Sequence, residues 1–180
     1  MSVKPIPTER LKLVALNPDA IRHLIEGDRD KAERAQGLHM PEEFPTQDDI
    51  DGFLSIQLHR METNPGRRDW MARLMVTRNK EVIGHCGFHG PPEVIGRAEI
   101  GYTVFTKHRG QGFAKEAARA LIGWALSHGE KEVYASVSPD NAPSLAVVSS
   151  LGFKQVGTQD DEVDGLELVF AVQQPKQTSR

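Results

Sequence analysis

A chain of 180 residues, 38% hydrophobic and 26% charged, is long enough to close one hydrophobic core without disulfides or metal, and short for two. Its 22 Lys and Arg against 25 Asp and Glu leave a net charge of -3, so no positive excess points to nucleic acid or an anionic membrane. The single cysteine, Cys86, excludes an internal disulfide and a thiolate metal cluster; it fits a reducing compartment and the role of a small buried hydrophobe.

From Met1 to Arg10 there is no apolar stretch of signal-peptide length, and no later run approaches a membrane span, so a cytoplasmic chain is expected. Leu11 to Leu16 reads as a strand that ends at Asn17-Pro18, where Asn caps a helix and Pro suits its first turn. Ile21, Leu24 and Ile25 give that helix an apolar stripe, closed near Gly27-Asp28. A segment containing Pro41 and Pro45 reads as irregular. Thr46 then opens a second helix, with Ile50, Phe53, Leu54 and Leu58 on one face until Asn64-Pro65-Gly66.

Trp70 to Val76 and Val82 to Phe88 form a predicted hairpin turned at Arg78-Asn79-Lys80. Ala98 to Thr106 reads as a strand with Ile100, Tyr102 and Val104 on one face and Glu99, Gly101, Thr103 and Phe105 on the other. Ala114 to Ser127 is the longest predicted helix. A strand at Val133 to Val137, a short helix at Ser144 to Leu151, and an antiparallel pair at Lys154 to Gly157 and Leu166 to Val172 follow. No repeat or low-complexity block divides the chain, so a single α+β domain over residues 1–172 is expected, with Gln173 to Arg180 as a polar, disordered tail.

The chemistry concentrates where a strand runs through a glycine-rich turn into the long helix, Lys107-His108-Arg109-Gly110-Gln111-Gly112-Phe113-Ala114. Unpaired N–H groups and a partial positive charge open every helix, and glycine lets a phosphate approach the backbone. A diphosphate is the natural guest. The turn lacks the G-x-x-x-x-G-K-[ST] of a P-loop and a full G-x-G-x-x-G, which disfavours ATP and NAD.

Arg109, Gly112 and Ala114 match R-x-x-G-x-A, the pyrophosphate signature of the GNAT N-acetyltransferase superfamily. With Ala98-Glu99-Ile100-Gly101-Tyr102 before it, Glu116-Ala117 after it, and Asn141-Ala142-Pro143-Ser144 and Leu151-Gly152-Phe153 downstream, the chain resembles the branch that acetylates the N-terminal amines of ribosomal proteins. The likeness runs from about Thr8 to Val172.

That resemblance implies a mixed, mostly antiparallel sheet of about seven strands flanked by about four helices and splayed to admit the pantetheine arm of acetyl-coenzyme A. It implies backbone pairing to the arm at Tyr102, Thr103, Val104 and Phe105. It places the pyrophosphate over Arg109, Gly110, Gln111, Gly112, Phe113 and Ala114, and Asn141 and Ser144 beside the pantetheine. The implied activity is acetyl transfer to a primary amine by direct attack on the thioester.

Glu99 is the candidate general base, because an ammonium acceptor must lose a proton before it attacks; its position resembles the strand glutamate of histone acetyltransferases. A structural ion pair is the competing role. Ser144 is the candidate proton donor to the leaving thiolate, Val148 standing where many superfamily members have tyrosine; a helix cap is its competing role. Arg109 touches phosphate or secures the turn. His85, Cys86 and His89 lack the further ligands of a zinc site, so no metal is expected, and Trp70 and Trp124 read as packing residues. The acidic runs Glu42, Glu43, Asp48, Asp49, Asp51 and Asp160, Asp161, Glu162, Asp164 fall where the superfamily opens to its acceptor. They attract a cationic amine or are ordinary solvated charge. A non-catalytic acyl-CoA sensor carries the same motif. The acceptor and the oligomeric state, a dimer included, stay open.

Overall fold

The computed structural model describes residues 2–173. The chain begins with β1 (Ile6–Pro7) and β2 (Leu11–Ala15), then α1 (Pro18–Ile25) and α2 (Arg29–Gln36). Next come α3 (Gln47–Asp49), a π-helical segment (Ile50–Leu54) and α4 (Ser55–Thr63). The hairpin β3 (Ala72–Thr77) and β4 (Val82–Phe88) follows, with the short α5 (Pro92–Ile95), β5 (Ile100–Val104) and α6 (Phe113–Ser127) behind it. β6 (Glu132–Val137), α7 (Ala142–Ser150), β7 (Lys154–Asp161) and β8 (Gly165–Gln173) complete the order. Gln173 thus closes β8 and does not start a tail; the remainder of the expected tail, 174–180, lies outside the described residues.

The expected sheet of about seven strands is, among the described residues, eight strands in two sheets. β1-β2-β3-β4-β5 and β6-β8-β7 are each antiparallel throughout. The two meet through a parallel bridge between Glu99 and Tyr134, with the Tyr134 N–H on the Ala98 carbonyl at 2.8 Å. Beyond that bridge β5 and β6 carry separate ladders, which is the splay.

Both faces of the five-stranded sheet are covered, so β3 and β4 are buried almost throughout. On one face Leu13, Met75, Ile83 and Phe88 pack against Ala117, Leu121 and Ala125 of α6. Trp70 and Trp124 meet edge to face at 4.8 Å in the same layer. On the other face Leu74, Val76 and Val82 pack against Ile21 and Leu24 of α1, Leu54 and Met61. Burying a leucine-sized side chain in such layers stabilises by about 2 kcal/mol.

The sequence pattern misses α2 because its eight residues, RDKAERAQ, bury only Ala32 and so show no apolar period. It is held by its ends: Asp28 caps it through the Lys31 N–H at 3.1 Å, and Gln36 accepts from the Asn17 N–H at 2.9 Å. β7 runs to Asp161, past the expected Gly157, as an almost wholly exposed edge strand that carries no alternation to read. Thr46 opens α3 with a capping box to Asp49, as its position suggests.

Candidate active site

In an antiparallel ladder the backbone groups of alternate residues point to alternate sides. The Glu99 carbonyl accepts from the His89 N–H at 2.9 Å, and the Phe105 N–H donates to Ile83 at 2.9 Å, so the odd-numbered residues of this strand turn their backbones to β4. The even-numbered residues face the other way, as the Ala98 carbonyl shows by accepting from Tyr134. Tyr102 and Val104 therefore present their backbone groups to the gap beside β6. Thr103 and Phe105 do not, and the expectation of four pairing residues narrows to two. The Phe105 side chain is core, stacked on Phe44 at 5.2 Å.

At the end of β5 the chain turns through Gly110 and Gly112, both in the left-handed region at φ 74° and 82°. Gly112 sits at the N-cap of α6, whose first turn has no side-chain cap. Its N–H groups are thus left for an anion. Arg109 bends back and donates through Nε to the Val104 carbonyl at 3.0 Å, so it secures the turn.

A second arginine, invisible to sequence reasoning, stands at the same turn. Arg10 donates through Nη1 to the Gln111 carbonyl at 2.9 Å and lies 4.2 Å over the Phe113 ring. Glu116 holds it there. That carboxylate accepts from Thr8 Oγ1 at 2.6 Å, from the Arg10 N–H at 2.7 Å and from Arg10 Nε at 2.7 Å. Burial by itself raises the Glu116 carboxyl, but these hydrogen bonds outweigh it and hold the group below its usual range.

The splay opens into a cavity of about 500 Å³ lined by Tyr102, Thr103, Ser136, Asn141, Ser144 and Glu167, among others. A larger space of about 1150 Å³, between the N-terminal arm, Arg73 and Trp124, is lined by none of these groups. Phe53 and His85 form the cavity's inner wall, their rings stacked at 4.1 Å. Phe53 is placed there by the π-helical segment, whose register shift Ser55 Oγ relieves by donating to the Ile50 carbonyl at 2.6 Å. Burial lowers the His85 pKa to about 4, so this ring is neutral at pH 7.

Glu99 is 6% exposed and does not itself line the cavity. Arg97 pairs with its Oε2 at 2.7 Å, and Ser136 Oγ donates to its Oε1 at 2.6 Å. His89 Nδ1 lies 3.8 Å from Oε1. The His89 ring crosses Gly101, where a Cβ would stand 3.0 Å from Nε2, so a larger residue there would push the ring off the strand by a few tenths of an ångström. Burial and the cations Arg60 and Arg97 lower the His89 pKa against the pull of Glu99 and Asp161. Opposite, burial raises the Glu167 carboxyl, as do Asp161 and Asp164, while a bond from Gln159 at 2.8 Å opposes them.

The Acetyltransferase (GNAT) domain profile matches residues 10–154. The chain belongs to this family. The N-acetyltransferase YjdG of Bacillus subtilis is 30% identical over 152 residues, covering 82% of this chain and 88% of that protein. The ribosomal-protein-serine acetyltransferase of Escherichia coli is 26% identical over 171 residues, 89% of this chain and 92% of its own length. The match to the N-acetyltransferase p20 of Bacillus licheniformis, 40% over 89 residues, spans half of that protein. An acetyltransferase structure from Agrobacterium tumefaciens aligns with a TM-score of 0.64 and 27% identity over 97% of this chain and 96% of that one. The likeness to the ribosomal-protein branch stands with these relatives.

Within this GNAT acetyltransferase, acetyl-coenzyme A is the acetyl donor, and the donor set fits it: two outward backbone pairs on β5 lead to the uncapped α6 terminus. Ser144 is half-buried on the cavity wall and is not the helix cap; Asn141 is, accepting from the Ser144 N–H at 3.2 Å. The Tyr102 hydroxyl reaches the Ser144 carbonyl at 3.5 Å. Cys86 packs in the core cluster that contains α6 and also borders the cavity that His85 and His89 line. Among the described residues no group of three or more His, Cys, Asp or Glu could hold a metal.

Of the acidic residues, Glu43 accepts from the Thr106 N–H at 3.2 Å and Asp49 belongs to the capping box. Asp161 closes the β7–β8 turn by accepting from Val163 and Asp164 N–H groups at 2.8 and 2.9 Å. Asp164 lines the cavity. Glu167 lines it too, and its only trace in the sequence is one polar residue between Leu166 and Leu168 on a strand.

Proposed function

We propose that this chain transfers the acetyl group of acetyl-coenzyme A to a primary amine, a peptide α-amine or a small cationic amine, by direct attack on the thioester. One observation carries the reading: the backbone groups of Tyr102 and Val104 that face away from β4 lie between the uncapped α6 terminus and a cavity lined by Tyr102, Asp164 and Glu167. The pyrophosphate lies on the N–H groups from Gly110 to Ala114, and the pantetheine enters beside β5 as an added strand. The acidic rim favours an acceptor that arrives as an ammonium. A relative named for a ribosomal-protein serine supports a protein α-amine among the acceptors.

Glu99 serves as the general base and Ser144 as the proton donor to the departing thiolate. The coenzyme thiol, with an ordinary pKa of about 8.5, needs little help to leave, so deprotonation of the amine is the more demanding proton transfer. Glu99→Gln keeps shape and hydrogen bonding, and kcat should fall by about two orders of magnitude with partial recovery at high pH. The measurement is coenzyme A release over a panel of peptide α-amines, polyamines and aminoglycosides. Parental kcat in Glu99→Gln across the pH range refutes the base. No release with any amine, in a protein that binds coenzyme A, favours the non-catalytic acyl-CoA sensor.

A further inference from the structure

Glu99 carries a difficulty for its proposed role: it is 6% exposed, does not line the cavity, and has both oxygens occupied. Ser136 lies between. On β6, Val133, Ala135 and Val137 point into the core, so Tyr134 and Ser136 take the opposite face, which the bridge from Glu99 to Tyr134 makes the Glu99 face. The Ser136 side chain is half-buried and lines the cavity.

Its hydrogen has one direction to go. Gln159 Nε2 donates to Ser136 Oγ at 3.1 Å and Arg97 Nη2 donates at 3.3 Å, which leaves the hydroxyl proton for Glu99 Oε1 at 2.6 Å. The Arg97 contact is the longest of the three, and Arg97 Nη2 also has Gln159 Oε1 at 2.8 Å. It is the contact an incoming amine displaces. His89, Arg97, Arg60 and Tyr134, with Glu167 through Gln159, are titratable and charged groups around this pair.

We propose that Ser136 is a catalytic residue that carries the amine proton from the cavity to Glu99. This rests on the reading of Glu99 as base. The ammonium N–H proton passes to Ser136 Oγ as the Ser136 O–H proton passes to Glu99 Oε1, so the hydroxyl is unchanged and the carboxylate becomes a carboxylic acid. The freed nitrogen lone pair forms the C–N bond at the thioester carbonyl, the C–S bond breaks, and the thiolate takes the Ser144 hydroxyl proton, which the second proton from nitrogen replaces. Glu99 then returns its proton to solvent.

The test compares Ser136→Ala, Ser136→Thr, Glu99→Gln and the Ser136→Ala/Glu99→Gln double variant. Each is assayed for kcat against pH with the best acceptor of the amine panel, after coenzyme A affinity and Tm are shown to match the parent. Ser136→Ala should lower kcat about 100-fold with recovery at high pH, Ser136→Thr should stay within a few-fold, and the double variant should be no slower than Glu99→Gln. If Glu99→Gln is impaired while Ser136→Ala keeps parental kcat, or if the two losses multiply, the relay is wrong and the base stands. If both single variants keep parental kcat, the base and the relay fail together. Should Ser136→Ala fold poorly, Ser136→Thr and Ser136→Cys decide: a Thr variant as slow as Cys at every pH overturns the relay.

Discussion

Glu116 ties the N-terminal arm to α6 and holds Arg10 on the phosphate turn, and its removal has a magnitude that follows from its partners. In Glu116→Ala, the Thr8 hydroxyl and the Arg10 N–H lose charge-assisted bonds of 2.6 and 2.7 Å to a carboxylate that is 15% exposed. Each contributes about 1.5 kcal/mol at that burial. The Arg10 side chain is 44% exposed, so solvent screening reduces its ion pair to about 0.5 kcal/mol. The loss should be about 3.5 kcal/mol, a Tm lower by about 7 to 14 °C for a chain of this size.

The effect has a pH signature. The Glu116 carboxyl sits below its ordinary 4.5 in the folded protein, so its contribution is complete above that value and fades as pH falls through the folded pKa. The Tm gap between parent and variant should therefore be full at pH 7 and shrink towards pH 3. Thermal unfolding at both pH values measures it, and a repeat with coenzyme A present reads the turn. Arg10, freed from Glu116, no longer braces the Gln111 carbonyl, so coenzyme A should protect the variant less. A Tm within about 2 °C of the parent at pH 7, or a gap that does not shrink in acid, refutes the clasp.

Other outcomes are expected of the same protein. Gly112→Glu should abolish thermal protection by coenzyme A, since it puts negative charge at the turn on a backbone at φ 82° with Arg10 Nη2 3.5 Å from the new Cβ; parental coenzyme affinity in a folded variant counts against the phosphate site. Arg109→Ala should retain part of that affinity by calorimetry, because backbone N–H groups do most of the binding. Asp160→Lys and Asp164→Lys should lower kcat/KM for a cationic amine, mostly at low salt, with acetyl-CoA KM unchanged; no salt dependence returns them to ordinary surface. His85 has a folded pKa of about 4, below the 6.5 of an unfolded histidine, so the unfolded state gains a proton first as pH falls. Stability should drop by about 3 kcal/mol between those values, and His85→Phe should flatten that limb of a denaturation–pH curve.

What could be read in one dimension was whatever depends on neighbours in the chain. The apolar spacing of Ala117, Leu121 and Ala125 marks α6 because helix burial repeats every three to four residues. Asn17, Thr46 and the glycines of the phosphate turn act on their own local backbone, so caps and turn are legible where they occur. The placement of Glu99 on a strand face opposite Tyr102 followed from alternation alone. Distant pairings were decided by the tertiary structure. Arg10 reaches Gln111 across 101 positions, Ser136 reaches Glu99 across 37, and no local pattern encodes either. Which backbone groups of β5 face the gap depended on where β4 pairs, and this turned the backbone groups of Thr103 and Phe105 away from it. Among the elements that went unread, β1 and α5 are too short to show a period, while α2 and the far end of β7 lie on the surface with few apolar residues, where periodicity has nothing to record; α2 is held by its caps and by Asn17, β7 by its ladder to β8.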